Sequence, residues 1–134
     1  MKVLNINVTS QHFKLIQEGE QVEFYRGIKS YWCNRFLIYR NNKRSSLWWE
    51  MNYFKKPCPL ENILHGLDVS KIFKFDKYDQ VEFINGYGSS KPRLIFELKG
   101  IRVGHGLKKW GGSPKTLSFI LILGDKISEV NVNQ

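Results

Sequence analysis

A cluster of cationic and aromatic side chains near position 30 is the part of the sequence best suited to binding a ligand. A cation beside an aromatic plane can hold a phosphate together with an unstacked base. An alternative is that Trp32 belongs to the core and Arg26 pairs with Glu23. We predict that the cluster binds nucleic acid; its members are Arg26, Lys29, Tyr31, Trp32 and Arg35.

The segment Asn85-Gly86-Tyr87-Gly88 follows a predicted strand and offers a second set of binding groups. Its glycines allow the backbone to approach a ligand, while Tyr87 can stack on a base and Asn85 can read a base edge. Because Asn-Gly is also a common hairpin turn, a purely structural role is the alternative.

A glycine-rich loop is predicted from Gly104 to Pro114. It carries His105, Lys108, Lys109 and Trp110 between glycines, which suits a mobile segment that covers a nucleotide. A solvated hairpin connection would account for the lysines but less readily for Trp110.

The candidate catalytic residues are Glu23, His105 and Glu82. Glu23 and Glu82 could supply a general base if both face one cleft, whereas exposed strand carboxylates are the alternative. His12 and His65 are interpreted as surface or helix residues. No catalytic triad, metal-ligand spacing or phosphate-binding glycine loop is present in the sequence, so no cofactor and no metal are implied.

The charge balance favours a polyanionic partner. The 21 Lys and Arg residues outnumber the 12 acidic ones, which gives a net charge of +9. The excess is concentrated between Arg26 and Lys56, where Glu50 is the single acid. Such a patch fits phosphate neutralisation, and a merely solubilising charge is the alternative.

Size and composition predict one domain over residues 1–134. With 42% apolar residues the chain can bury a core, yet no run reaches the length that spans a bilayer, so no membrane partner is expected. Because Met1 to Val8 do not form an export signal, we expect a cytoplasmic protein. Cys33 and Cys58 do not define a disulfide framework and are expected to be reduced thiols, partly buried.

The first half of the chain alternates predicted strands with short helices. Strands are expected at 2–9 and 21–26, and a helix at 11–18 that Ser10 caps and Gly19 ends. Ser30 can cap a second helix, and 37–39 is either its continuation or a strand.

Residues 40–75 lose this regularity and are interpreted as a basic, aromatic insertion. Trp48 and Trp49 are expected to pack in the core, and stacking of one of them on a base is the alternative. Beyond it, strands are predicted at 80–84, 93–103 and 117–123, the last continuing after a Gly124-Asp125 turn. Gly100 indicates a bulge or a sharp bend of the kind that closes a small barrel.

The segment FKLIQEGE at 13–20, followed by EFYR at 23–26, resembles the opening signature of ASCH domains. The resemblance continues through KSYW at 29–32, VEFINGY at 81–87, Gly100-Ile101 and WGG at 110–112, which are similar to a bacterial and prophage branch of that family. It covers most of the chain outside the insertion.

This resemblance implies an α+β, β-rich fold: a small PUA-like barrel with two or three short helices. It also implies a cleft that binds RNA and, in some members, hydrolyses acylated cytidine. The lysine that many members place two residues after the glycine is Gln21 here, and their usual acidic position is Phe24. Because glutamine does not transfer protons near neutral pH, the substitution argues against the enzymatic reading.

Three hypotheses follow. The first is a module that binds RNA or a modified nucleotide, favoured over duplex DNA because no groove-reading helix is predicted. The second is a hydrolase acting on an acylated nucleoside or on RNA. The third is a prophage-type adaptor that uses the insertion to hold another protein, since Trp, Tyr and Arg also dominate protein interfaces.

Overall fold

The computed structural model describes residues 1–39, 73–88 and 90–131. Two helices and seven strands occur in this part of the chain, together with a short 3-10 turn at Lys108–Trp110. In chain order they are β1 (Val3–Val8), α1 (Ser10–Gln17), β2 (Glu23–Gly27), α2 (Ser30–Phe36), β3 (Leu37–Tyr39), β4 (Phe73–Phe75), β5 (Gln80–Asn85), β6 (Arg93–His105) and β7 (Leu117–Val130).

Five strands form one curled sheet that makes half of a barrel. Their order is β1-β5-β6-β7-β2, so the two strands that come first in the sequence lie at opposite edges. β1 pairs with β5 in parallel, and the remaining neighbours are antiparallel. The β-rich α+β class predicted from the sequence is confirmed.

The core fills the concave side of this sheet. In β1 the even-numbered residues Leu4, Ile6 and Val8 are buried, as the alternation of side chains along a strand requires. Phe24 on one edge of the sheet contacts Phe83 of β5, with ring centroids 5.3 Å apart. Burial of a side chain of this size contributes about 1.5–3 kcal/mol, so aromatic contacts help to hold the curled sheet together.

Helix α1 follows the sequence prediction to within one residue at each end. Phe13 and Ile16 are buried at helical spacing, and Gly19 adopts a φ of +78°, which ends the helix. Thr9 rather than Ser10 occupies the N-cap position, and the Ser10 hydroxyl instead donates to Asn85 Oδ1. The Ser10 cap is therefore wrong, because tertiary contact with the β5–β6 turn takes the hydroxyl.

Strand β7 corrects the predicted turn at Gly124-Asp125. The chain stays extended from Leu117 to Val130, and the pairing with β6 is offset by irregularities between Ile95 and Gly100. Extra residues in one strand of a pair bend it without reversing it. The predicted bulge at Gly100 is confirmed, because one of these shifts falls between Leu98 and Gly100.

The two ends of the predicted insertion are adjacent, because β3 and β4 pair with each other. β3 pairs with β4, with Leu37 opposite Phe75 and Tyr39 opposite Phe73. Residues 37–39 are thus a strand, and the last three residues assigned to the insertion form its partner. Residues 40–72 lie outside the described part of the chain, and so do Trp48, Trp49, Cys58 and His65.

Candidate functional site

A cleft lies where the end of β1 approaches β2, at the two edges of the sheet. It encloses about 210 Å³. The end of β1 and the start of α1 provide one wall, β2 provides another, and the turn between β5 and β6 forms the rim. The lining residues are Asn7, Val8, Thr9, His12, Phe24, Arg26 and Tyr87.

Arg26 is the cation of this cleft. Its Nη2 donates to the carbonyl oxygen of Asn7 at 2.9 Å, and its guanidinium carbon lies 4.4 Å from the Phe24 ring centroid. Nε is buried without a hydrogen-bond partner. Burial lowers the pKa of Arg26, opposed by the nearby Tyr87. No described acidic side chain pairs with this guanidinium, so the predicted alternative of an ion pair with Glu23 is wrong.

The α2 residues of the predicted cluster extend this arrangement. Trp32 packs against the core, and both Arg26 and Arg35 lie over its ring, at 5.1 and 5.8 Å from the centroid. Arg35 Nη1 donates to the hydroxyl of Tyr31 at 3.0 Å, and its Nη2 lies 3.5 Å from the carbonyl oxygen of Asn5. Both guanidinium groups therefore lie over the Trp32 ring and approach backbone carbonyl oxygens on the open edge of β1.

Tyr87 stands at the rim with 81% of its surface exposed. Gly86 and Gly88 beside it have φ values of +94° and +117°, which side chains with a Cβ rarely adopt. The Asn7 amide donates to the carbonyl of Gly86, and Arg93 Nη2 donates to that of Gly88 at 3.2 Å. These bonds fix a turn that presents Tyr87 to solvent above the cleft.

Asn85 is engaged with α1 through Ser10, and it is not among the residues that line the cleft. The β5–β6 connection is also longer than a two-residue Asn-Gly hairpin, because the Asn85 amide donates to the carbonyl of Pro92. Asn85 therefore helps to position the turn, whereas Tyr87 is available to a ligand.

His12 is a cleft residue that the sequence did not single out. It is half-buried, and its Nδ1 lies 2.9 Å from Gln21 Oε1. Since Gln21 Nε2 donates to the carbonyl of Glu23, its oxygen is the acceptor for His12, and the proton belongs on Nδ1. Nε2 of a neutral His12 is then left as an acceptor. The sequence signal that could have identified His12 is its position just after the predicted turn from the first strand to the first helix.

The loop after β6 differs from its predicted form. β6 continues to His105, so the loop starts at Gly106, and two of its glycines, Gly106 and Gly112, are close-packed. A Cβ on Gly106 would lie 2.6 Å from the Tyr25 ring. Trp110 is 8% exposed and therefore packs inside the domain instead of offering a face to a ligand. Lys108 and Lys109 are exposed, and Lys109 Nζ lies 4.6 Å from the Trp110 ring centroid.

The two candidate catalytic carboxylates are held by separate partners. Glu23 accepts from the Tyr25 hydroxyl at 2.8 Å and pairs with Arg102 at 3.4 Å, whereas Glu82 pairs with Arg93 at 2.9 Å. Burial raises the pKa of Tyr25, and its bond to Glu23 acts in the same direction. Neither Glu23 nor Glu82 is among the residues that line the cleft around Arg26.

Lys29 and His105 belong to a different cleft, where Lys115 joins them. Of the thirteen site residues predicted from the sequence, two line the first cleft, Arg26 and Tyr87. Trp32 contacts Arg26, and Tyr31 and Arg35 adjoin Trp32, but these three do not line the cleft. The polar lining residues that sequence reasoning missed are Asn7, Thr9 and His12.

Within the described residues, no group of three or more His, Cys, Asp or Glu side chains could hold a metal ion. None of the helices in this part of the chain is long and apolar enough to cross a membrane. Comparisons with protein-family models, curated proteins and solved structures gave no significant match.

Proposed function

We propose that the protein is a module that binds single-stranded RNA or a modified nucleotide through the cleft between β1 and β2. The observation that carries the proposal is Arg26, a partly desolvated guanidinium that no described carboxylate neutralises. Phosphate is a strong partner for such a group, because its oxygens accept charge-assisted hydrogen bonds. Tyr87 at the rim supplies an exposed ring on which a base can stack.

The size of the cleft favours one inserted group over a whole drug-sized ligand. At about 210 Å³ it is smaller than the roughly 300–1,000 Å³ of pockets that enclose such ligands. A single phosphate or one unstacked base fits this space, and the remainder of a strand would lie on the surface. RNA single strands, whose bases are free to unstack, meet this requirement better than a duplex.

The resemblance to ASCH domains supports the same proposal. Its opening signature, residues 13–26, forms α1, the left-handed Gly19 and β2, and three cleft residues, Phe24, Arg26 and the adjacent His12, lie in or beside it. We include membership of that family, with a PUA-like barrel, in the proposal. The curled half-barrel sheet is compatible with it.

Hydrolysis of an acylated nucleoside is the second candidate, favoured by His12 in the cleft wall. Gln21, at the position where many ASCH members have lysine, is buried and uses both ends of its amide in hydrogen bonds. Gln21 offers no group for proton transfer, so a base would have to be His12 through Nε2. Loss of turnover in His12→Asn, with acylated cytidine as substrate, would support this candidate.

The proposed function is tested by tryptophan fluorescence during titration with RNA and DNA octamers and with free nucleotides. We expect saturable quenching by RNA whose binding constant falls with added salt, with a log-log slope of about −0.7 for each phosphate contacted. Tyr87→Ala should weaken binding by about tenfold, because stacking on one ring contributes about 1–3 kcal/mol. Arg26→Gln should weaken it at least as much.

Lys99→Gln is the matched control for charge, since Lys99 is exposed on β6 and lines neither of the two basic clefts. It should bind RNA as the unaltered protein does. Circular dichroism of each variant separates a binding defect from a folding defect. Salt-independent binding, or equal affinity in Arg26→Gln and Lys99→Gln, would contradict the proposal.

A further inference from the structure

A second, larger cleft adjoins the end of β2 and encloses about 550 Å³. Three segments build it: the connection from β2 to α2, the end of β6, and the turn that leads into β7. The lining residues are Gly27, Ile28, Lys29, His105, Lys115, Thr116 and Leu117. None of these described lining residues is acidic, and three of them can carry positive charge.

The two lysines approach this cleft from different segments. Lys29 folds back over Gly27, so that a Cβ on Gly27 would lie 3.5 Å from Lys29 Cε. Lys115 follows Pro114 in a turn where its backbone N–H donates to Ser113 Oγ at 3.1 Å. Both side chains are exposed and neither has a described carboxylate partner. An anion between them would be bound from two sides.

His105 contributes a different group. Its Nδ1 lies 3.3 Å from the carbonyl oxygen of Ser113 and 3.2 Å from that of Thr116. Because both partners are acceptors only, the proton belongs on Nδ1, and Nε2 of the neutral ring is an acceptor. A hydroxyl that donates to Nε2 would complete the hydrogen bonding of this ring. Ile28 and Leu117, both half-buried, supply apolar surface for the body of the ligand.

These groups match the chemistry of a ribonucleotide. Two ammonium groups suit a phosphate, apolar side chains suit the face of a sugar, and an acceptor suits the 2′-hydroxyl that distinguishes RNA from DNA. The cleft is also near the first one: Arg26 and Lys29 are three residues apart, so their Cα atoms are separated by at most about 11 Å.

We propose that the cleft lined by Lys29, His105 and Lys115 is a second RNA subsite, which binds a backbone phosphate through the lysines and a ribose 2′-hydroxyl through His105 Nε2. The inference rests on the proposed function and deepens it. The ligand is an RNA strand of several nucleotides that occupies both clefts, and the second cleft provides the preference for ribose.

The test compares a labelled RNA octamer of randomised sequence, the matching DNA octamer, and a mixture of the four nucleoside 5′-monophosphates. Lys115→Gln should weaken binding of both octamers by about tenfold and reduce the salt slope by about 0.7. His105→Phe should weaken RNA binding by about fivefold and leave DNA binding unchanged, because only RNA loses a hydrogen bond.

Lys99→Gln is again the control for charge, and Arg26→Gln the control for the first cleft. If Lys115→Gln binds both octamers as Lys99→Gln does while Arg26→Gln weakens them, the second subsite is wrong and the proposed function stands. Equal losses for RNA and DNA in His105→Phe would overturn the assignment of the 2′-hydroxyl. If the unaltered protein binds none of the probes, the proposed function fails and takes the subsite with it.

Discussion

Gln21 illustrates how a single buried amide can decide the chemistry next to a cleft. Its side chain is 1% exposed, accepts from His12 Nδ1 and donates to the carbonyl of Glu23. It therefore connects α1 to the start of β2 and selects the tautomer of the neutral His12 ring. A lysine at this position would instead place an ammonium in the same buried space.

Replacement of Gln21 by leucine is expected to lower the free energy of unfolding by about 1–3 kcal/mol. The variant loses two hydrogen bonds and leaves the carbonyl of Glu23 without its partner. Urea denaturation followed by circular dichroism measures the change. Gln11→Leu on the exposed face of α1 is the matched control and should change stability by less than about 0.5 kcal/mol. Equal stability of the two variants would contradict this account.

Cys33 is expected to resist alkylation while the protein is folded. It is fully buried in the core, and burial raises its pKa to about 12. The reactive thiolate is then only about one part in ten thousand at pH 8. In a Cys58→Ser background, mass spectrometry should show no iodoacetamide adduct in buffer at pH 8 and complete modification in urea. Rapid modification of the folded variant would contradict the burial of this thiol.

At the scale of elements, close contacts of its glycines determine the conformation of the loop between β6 and β7. Gly112 approaches the backbone of Gly106, and Gly106 approaches the ring of Tyr25. The Tyr25 hydroxyl accepts from the Leu107 amide at 2.9 Å. Gly111 has a φ of +90° and lies beside His12, which brings this loop to one end of the first cleft. Its geometry therefore depends on small residues at fixed places.

We expect Gly112→Ala to destabilise the protein by about 1–3 kcal/mol, because the added methyl group would overlap the backbone of Gly106, which cannot rotate away. Gly100→Ala is the comparison, since a Cβ there meets nothing within 4 Å. Thermal denaturation should show a clearly lower midpoint for Gly112→Ala than for Gly100→Ala. Similar midpoints would mean that the loop accommodates the methyl group by moving.

Much of the secondary structure could be predicted from periodicity alone. Alternation identified β1, the spacing of Phe13 and Ile16 identified α1, and Gly100 located a bulge. The continuous β7 was missed, because Gly124-Asp125 is a typical turn sequence. The chain stays extended there because it pairs with β6 across several register shifts, and this pairing is not visible in the sequence of β7 alone. The burial of Trp110 was missed for a related reason: a glycine-rich segment can be loose or close-packed, and only tertiary contacts decide.

The candidate site was partly visible in the sequence. Residues 26–35 are near one another in the chain, so their cluster could be anticipated from composition. Arg26 lies near Asn7, His12 and Tyr87 because the curled sheet brings its two edge strands, β1 and β2, close together. No local sequence pattern indicates that these strands approach each other. Lys115 joined Lys29 for the same reason, through strands that are distant in sequence.

At the scale of the whole molecule, the half-barrel has two edge strands, β1 and β2, which contact each other through side chains. Arg26 Nη2 donates to the carbonyl of Asn7, and Arg35 Nη2 approaches that of Asn5. These guanidinium groups therefore contact edge carbonyl groups of β1 that a neighbouring strand would otherwise pair with. Neither arginine forms an ion pair with a described carboxylate, so this junction combines structural contacts with positive charge in a chain of net charge +9.

Because the first cleft is assembled from β1, β2 and the β5–β6 turn, it exists only in the folded chain. A ligand that binds there must stabilise the fold, by about 2.7 kcal/mol at a hundred times its dissociation constant, which for a domain of this size raises the melting temperature by about 8 °C. Differential scanning fluorimetry with the randomised RNA octamer measures this rise. It should increase with RNA concentration, disappear at 1 M salt, and be reduced in Arg26→Gln relative to that variant's own unliganded midpoint. A shift of equal size in Arg26→Gln would mean that RNA binds the folded chain elsewhere, and a midpoint independent of RNA concentration would mean that this fold does not bind RNA.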